Sequence, residues 1–108
     1  MDRVYLNLPD DEFRELYKND TEAALIDVRM KEEFDEDRIC DSILCDYTKL
    51  EDFKSFLKCL DVNKHYYVYC MTGHRSIEAC EMMKEMGFKY LVGLKGGMIR
   101  FNGKICTD

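Results

Sequence analysis

The strongest constraint on this chain is a repeated alternation between two kinds of apolar pattern. Residues 23–28 form a continuous apolar run broken only by Asp27, and residues 66–69 read Tyr-Tyr-Val-Tyr. Such runs suit strands covered on both faces. Between and around them, apolar residues recur at helical spacing: Phe13, Leu16 and Tyr17, then Leu50, Phe53, Phe56 and Leu57, then Ile77, Cys80, Met82 and Met83. Strands alternating with helices imply an α/β domain with a mainly parallel central sheet and helices on both faces. In such sheets, sites form beyond the carboxyl ends of the strands, where Asp27 and Cys70 both fall.

Shorter elements complete the pattern. Residues 4–8 alternate as a short strand, and Pro9 and Asp10 open a helix reaching about Lys18. A short helix is expected from Lys31 to about Asp35 and a short strand over 42–44. Thr48-Lys49-Leu50-Glu51 reads as a capping box, with Leu50 on the buried face of its helix. A helix over 76–86 ends at Gly87, a further strand covers 90–94, and 97–101 form a last helical turn.

Composition narrows the function classes. The 108 residues are enough for one domain (1–108) with a single core, and 46% hydrophobic with 35% charged is ordinary for a globular chain. The net charge of −6 argues against nucleic-acid binding and repels small dianions at long range. No apolar stretch approaches membrane-spanning length and none follows Met1-Asp2-Arg3, so the expected location is the cytoplasm, away from any membrane.

The six cysteines stand at 40, 45, 59, 70, 80 and 106. Cys59 and Cys80 read as small buried hydrophobes on helix faces. Cys40, Cys45 and Cys106 are the candidates for a regulatory or resolving disulfide. Zinc fits poorly, because no second Cys or His pair stands at ligand spacing from Cys40 and Cys45, and His65 and His74 are distant singles. No metal or organic cofactor is expected.

Chemistry concentrates in Cys70-Met71-Thr72-Gly73-His74-Arg75-Ser76, between an apolar strand and a helix start. Backbone N–H groups at a helix N-terminus lack intrahelical partners, and a tight turn can aim several at a cysteine sulfur. That arrangement favours a thiolate and an anion attached to it. Cys70 is the candidate nucleophile, and Arg75 adds a positive charge at the rim. Gly73 supplies a positive-φ turn. Met71 and Thr72 offer N–H donors, His74 points away from the loop, and Ser76 reads as a helix cap.

These residues resemble the active loop of the rhodanese-like sulfurtransferase family: cysteine, two variable residues, glycine, one variable residue, then Arg-Ser. Three further stretches carry the resemblance. Residues 25–29 followed by Glu33-Phe34 are similar to the family's Asp-Val-Arg strand end and Glu-Phe pair. Gly87-Phe88 and Leu94-Lys95-Gly96-Gly97 are similar to its later segments. There are departures. Residues 37–42 read Asp-Arg-Ile-Cys-Asp-Ser where the family often has Gly-His-Ile-x-Gly-Ala, and Phe101 stands in for a tryptophan.

The resemblance implies a persulfide on Cys70. It would be loaded from a small donor such as thiosulfate or polysulfide and unloaded to a thiol, to cyanide or to an acceptor protein. It also implies that Arg75 closes the loop, and Met71, Thr72, Gly73, His74 and Ser76 would line the substrate site. Arg29 is expected to pair with Glu33 at helical spacing. Two alternatives stay open. One is a persulfide carrier or regulatory module docked to a partner, for which residues 32–41 offer an acidic face. The other is a cysteine phosphatase or arsenate reductase, but that signature has five residues between Cys and Arg, and here there are four.

Overall fold

The computed structural model describes residues 3–107. In chain order they form β1 (Val4–Leu8), α1 (Asp10–Lys18), β2 (Ala23–Asp27), α2 (Lys31–Glu36), β3 (Arg38–Ile39) and β4 (Ile43–Leu44). There follow α3 (Leu50–Lys58), β5 (His65–Tyr69), α4 (His74–Glu85), β6 (Tyr90–Leu94), a 3-10 turn (Met98–Arg100) and β7 (Ile105–Cys106). Five strands pair in the order β1-β6-β5-β2-β4, every neighbouring pair parallel.

Side-chain alternation along the central strands builds two cores. Tyr66, Val68 and Cys70 face one side and pack with Phe53 and Leu57 of α3 and with Ala79 and Met83 of α4. Tyr67 and Tyr69 face the other side, with Phe13 of α1, Leu25, Val92 and Leu94. The expected α/β architecture with helices on both faces is present. Phe101 is half-buried and packs against the second core.

Several local expectations are corrected. Thr48 does not cap α3: its hydroxyl donates to the Asp46 carboxylate at 2.5 Å, and Lys49 stands at the N-cap. An acceptor two residues away captured the hydroxyl before the helix could. Leu50 and Ile77 lie in the first turns of their helices and are exposed, at 41% and 49%. The buried apolar stripe begins at Phe53 in α3 and, after the buried Ser76, at Ala79 in α4. Cys59 is exposed at the end of α3, its thiol donating to the Ser55 carbonyl, and Cys80 is half-buried.

A second, two-stranded sheet pairs β3 with β7 antiparallel. A disulfide between Cys40 and Cys106 closes it. Asp41 beside it takes a positive φ of 72°, at the place where the resemblance leads one to expect glycine.

Candidate active site

The site lies where β2 and β5, neighbours in the sheet, end at the same edge. After β5, residues 70–73 turn sharply into α4. Gly73 at the N-cap has φ 101°, which a side chain would oppose. The turn curls the backbone around one atom: Cys70 Sγ accepts hydrogen bonds from the Gly73 N–H at 3.1 Å and the Ser76 N–H at 3.3 Å. These two donors belong to the open end of α4, so its macrodipole also points at the sulfur. Cys70 has no exposed surface.

Ser76 is not the cap that sequence suggested. It lies within the first turn of α4, its hydroxyl donating to the Gly73 carbonyl at 3.1 Å and accepting the Cys70 thiol at 3.6 Å. Its backbone, not its cap geometry, serves the sulfur. The donors on the sulfur come from Gly73 and Ser76 rather than from Met71 and Thr72. His74 is exposed, its Nδ1 3.2 Å from the Thr72 hydroxyl.

A second turn holds this loop from behind. Met98 and Ile99 donate backbone N–H groups to the carbonyls of Cys70 and Met71, at 2.8 and 3.1 Å. Contact this close requires glycine at 97. A Cβ there would stand 2.3 Å from the Met71 carbonyl oxygen and 2.6 Å from the Thr72 nitrogen. Gly96-Gly97 thus has a mechanical reason: it lets one backbone lie against another.

The charged residues pair differently from expectation. Arg29 does not reach Glu33. Its guanidinium is wholly buried and forks onto the equally buried Asp27 carboxylate, with contacts of 2.8–3.0 Å, while Nη2 also donates to the Asp37 carbonyl. Glu33 instead accepts a two-pronged bond from Arg75, at 2.8 and 3.2 Å, across 42 positions of sequence, and also accepts the Met30 N–H. This partner holds the Glu33 carboxyl below its ordinary range despite partial burial, and raises Arg75 in turn.

Two residues at the site were not singled out as functional by sequence. Glu33 was noticed as half of a motif and as the expected partner of Arg29, not as the partner of Arg75. Tyr69 looked like an ordinary strand former, yet its hydroxyl donates to Asp27 at 2.6 Å, accepts the Ile39 N–H and lies 3.0 Å from Ser42 Oγ. The signal available was a buried aspartate at a strand end, which demands partners.

Of the other thiols, Cys45 and Cys80 are pushed up to about 12, mainly by burial. A groove of about 160 Å³ between β1 and α4 reaches Cys80 and Ser76. Among the described residues no group of His, Cys, Asp and Glu could hold a metal ion, and no helix is long and apolar enough to cross a membrane.

The chain is similar to known proteins over most of its length. The family model for the rhodanese-like domain matches residues 10–104. A Bacillus subtilis protein named "Putative sulfurtransferase YtwF" is 34% identical over 91 residues, covering 84% of each chain. "Putative sulfur carrier protein YrkF", from the same organism, is 28% identical across 85% of this chain and 48% of its own length. A crystal structure of a rhodanese-like domain protein from Staphylococcus aureus superposes with a TM-score of 0.81 at 23% identity. It covers 96% of this chain and 99% of that one.

Proposed function

This chain belongs to the rhodanese-like domain family, and on that premise we propose that it is a sulfurtransferase moving sulfane sulfur from thiosulfate or polysulfide to a thiol acceptor. The carrier is a persulfide on Cys70. The observation that supports it most directly is the pair of N–H groups, from Gly73 and Ser76, converging on Cys70 Sγ at the start of α4. An anionic sulfur placed there meets donors already aimed at it.

Two steps suffice. The Cys70 thiolate attacks the outer sulfur of thiosulfate. A Cys70–sulfur bond forms, the sulfur–sulfur bond of the donor breaks, and sulfite leaves with the electron pair. A nucleophilic acceptor then attacks the terminal sulfur, and Cys70 departs as thiolate. With cyanide the product is thiocyanate; with a thiol it is a new persulfide. Two half-reactions through a covalent intermediate give ping-pong kinetics. Because Cys70 is wholly buried, a donor enters only when the rim opens locally.

The roles follow from position. Gly73 and Ser76 stabilise the sulfur, Met71 and Thr72 shape the loop, Arg75 borders the entrance, and His74 stands outside it. A location such as the cytoplasm keeps acceptor thiols reduced, and there the Cys40–Cys106 bond is itself open to reduction. A carrier that passes its sulfur to a docked protein would use the same persulfide, and the sulfur-carrier name of one relative favours this second reading. A phosphatase is disfavoured by the four-residue gap between Cys70 and Arg75.

The test is intact and peptide mass after reduction, removal of reductant and exposure to thiosulfate or polysulfide. One added sulfur on Cys70, removed by cyanide and absent from Cys70→Ser, is expected. Sulfur spread over the other free thiols, or undiminished transfer by Cys70→Ser, would overturn the proposal.

A further inference from the structure

Resting on the sulfur-transfer proposal, we infer that Glu33 sets donor choice: by pairing with Arg75 it favours a singly charged or neutral organic hydropersulfide over dianionic thiosulfate. The two donors make different demands. A thiolate attacking thiosulfate brings three negative charges together; one stays on Cys70 as the persulfide anion and two leave with sulfite. A thiolate attacking the outer sulfur of a neutral hydropersulfide, R–S–SH, gathers one, and of its singly charged form two. The bond from that sulfur to R–S breaks, Cys70 keeps the sulfur and any proton it carries as a persulfide, and the thiolate R–S⁻ departs.

Within the loop that carries Cys70, free positive charge is scarce, although Lys95 and Arg100 stand exposed on the turn behind it. Met71 and Thr72 are uncharged. Arg75, the cation of the loop, is engaged by both carboxylate oxygens of Glu33, and the two side chains are only 28% and 23% exposed. Arg29 is committed to Asp27 and to the Asp37 carbonyl, and Lys31 is bonded to Asp35. The sulfur therefore relies on two N–H groups and the end of α4. These suit one negative charge, and the chain's net charge of −6 adds long-range repulsion.

Glu33 is well placed for this task. It sits in the first turn of α2, where its contact with the Met30 N–H fixes the carboxylate. Its partner is 42 positions away, on the loop that holds the nucleophile. Glu33→Gln keeps the size and one acceptor oxygen for Met30 and Arg75 while removing the charge.

The experiment compares rates of Cys70 loading from thiosulfate and from 2-hydroxyethyl hydropersulfide, in wild type, Glu33→Gln, Glu33→Asp and Arg75→Gln. Wild type is expected to load faster from the hydropersulfide. Glu33→Gln should shift the ratio toward thiosulfate by about tenfold, the size expected for removing one charge near a dianion in a partly screened site. Glu33→Asp should keep the wild-type preference, and Arg75→Gln should move it the opposite way, since it exposes the carboxylate. The opposed shifts distinguish charge from a scaffold role, in which both donors would slow together. A ratio unchanged by either charge-removing variant, with Cys70 still loaded, overturns this inference and leaves sulfur transfer standing. Failure of both donors to load wild-type Cys70 overturns sulfur transfer itself.

Discussion

The connections that follow β2 and β5 leave the same edge of the sheet on neighbouring strands, yet they use their polar groups in opposite ways. After β2, Asp27 and Arg29 fork onto each other, Tyr69 adds a bond to the same carboxylate, and both charges are sealed from solvent, with Arg29 Nη1 left without a hydrogen bond among the described residues. After β5, the polar groups converge on a sulfur rather than on one another. Arg29 in the first connection and Cys70 in the second are both fully buried. What separates an anchor from a site here is where donors are aimed.

Breaking the anchor should cost the most. Arg29→Met leaves Asp27 buried without its counter-charge, a change worth about 3–5 kcal/mol. Urea titration should show that loss, and the melting temperature should fall by more than about 10 °C. At a temperature where the variant remains folded, Cys70 should still take up sulfur. If stability is unchanged, the contrast between the two connections fails.

Disturbing the active loop without touching its chemistry comes next. Gly97→Ala drives a methyl into the Met71 backbone, so residues 70–72 must shift. Loading of Cys70 should slow by about a hundredfold, the penalty of misplacing a reacting group by roughly an ångström. The smallest effect should come from Ser76→Ala, which removes the hydroxyl on the Gly73 carbonyl but keeps the N–H on the sulfur. A slowing of about fivefold is expected, matching one hydrogen bond of about 1 kcal/mol. A much larger loss would mean that the hydroxyl, not the backbone, governs the thiol.

The architecture was legible because strands covered on both faces have nowhere to place polar residues, so 23–28 and 66–69 stand out as apolar runs. The placement of Cys70 was legible for a related reason: a cysteine between a strand and a glycine turn has only a helix end in front of it. The pairing of charges was not. Arg29 and Glu33 stand at helical spacing, but α2 begins only at Lys31, so the spacing rule did not apply to Arg29. The true partner of Glu33 comes from an element brought near by the parallel crossover, and no local pattern encodes it. Likewise β3 and β7 are two residues each, too short to leave an alternation, and Thr48 found a nearer acceptor than its helix.

The bond between Cys40 and Cys106 has a consequence in chain connectivity. It closes residues 40–106 into a covalent ring that contains β4, α3, β5, α4 and β6, and with them the whole Cys70 loop. A ring has fewer ways to be unfolded than an open chain. For a separation of 66 residues the loop-closure estimate is about 4 kcal/mol in favour of the folded form. A single peptide cut within the ring would leave both pieces attached, so the loop around Cys70 would outlast its first cleavage.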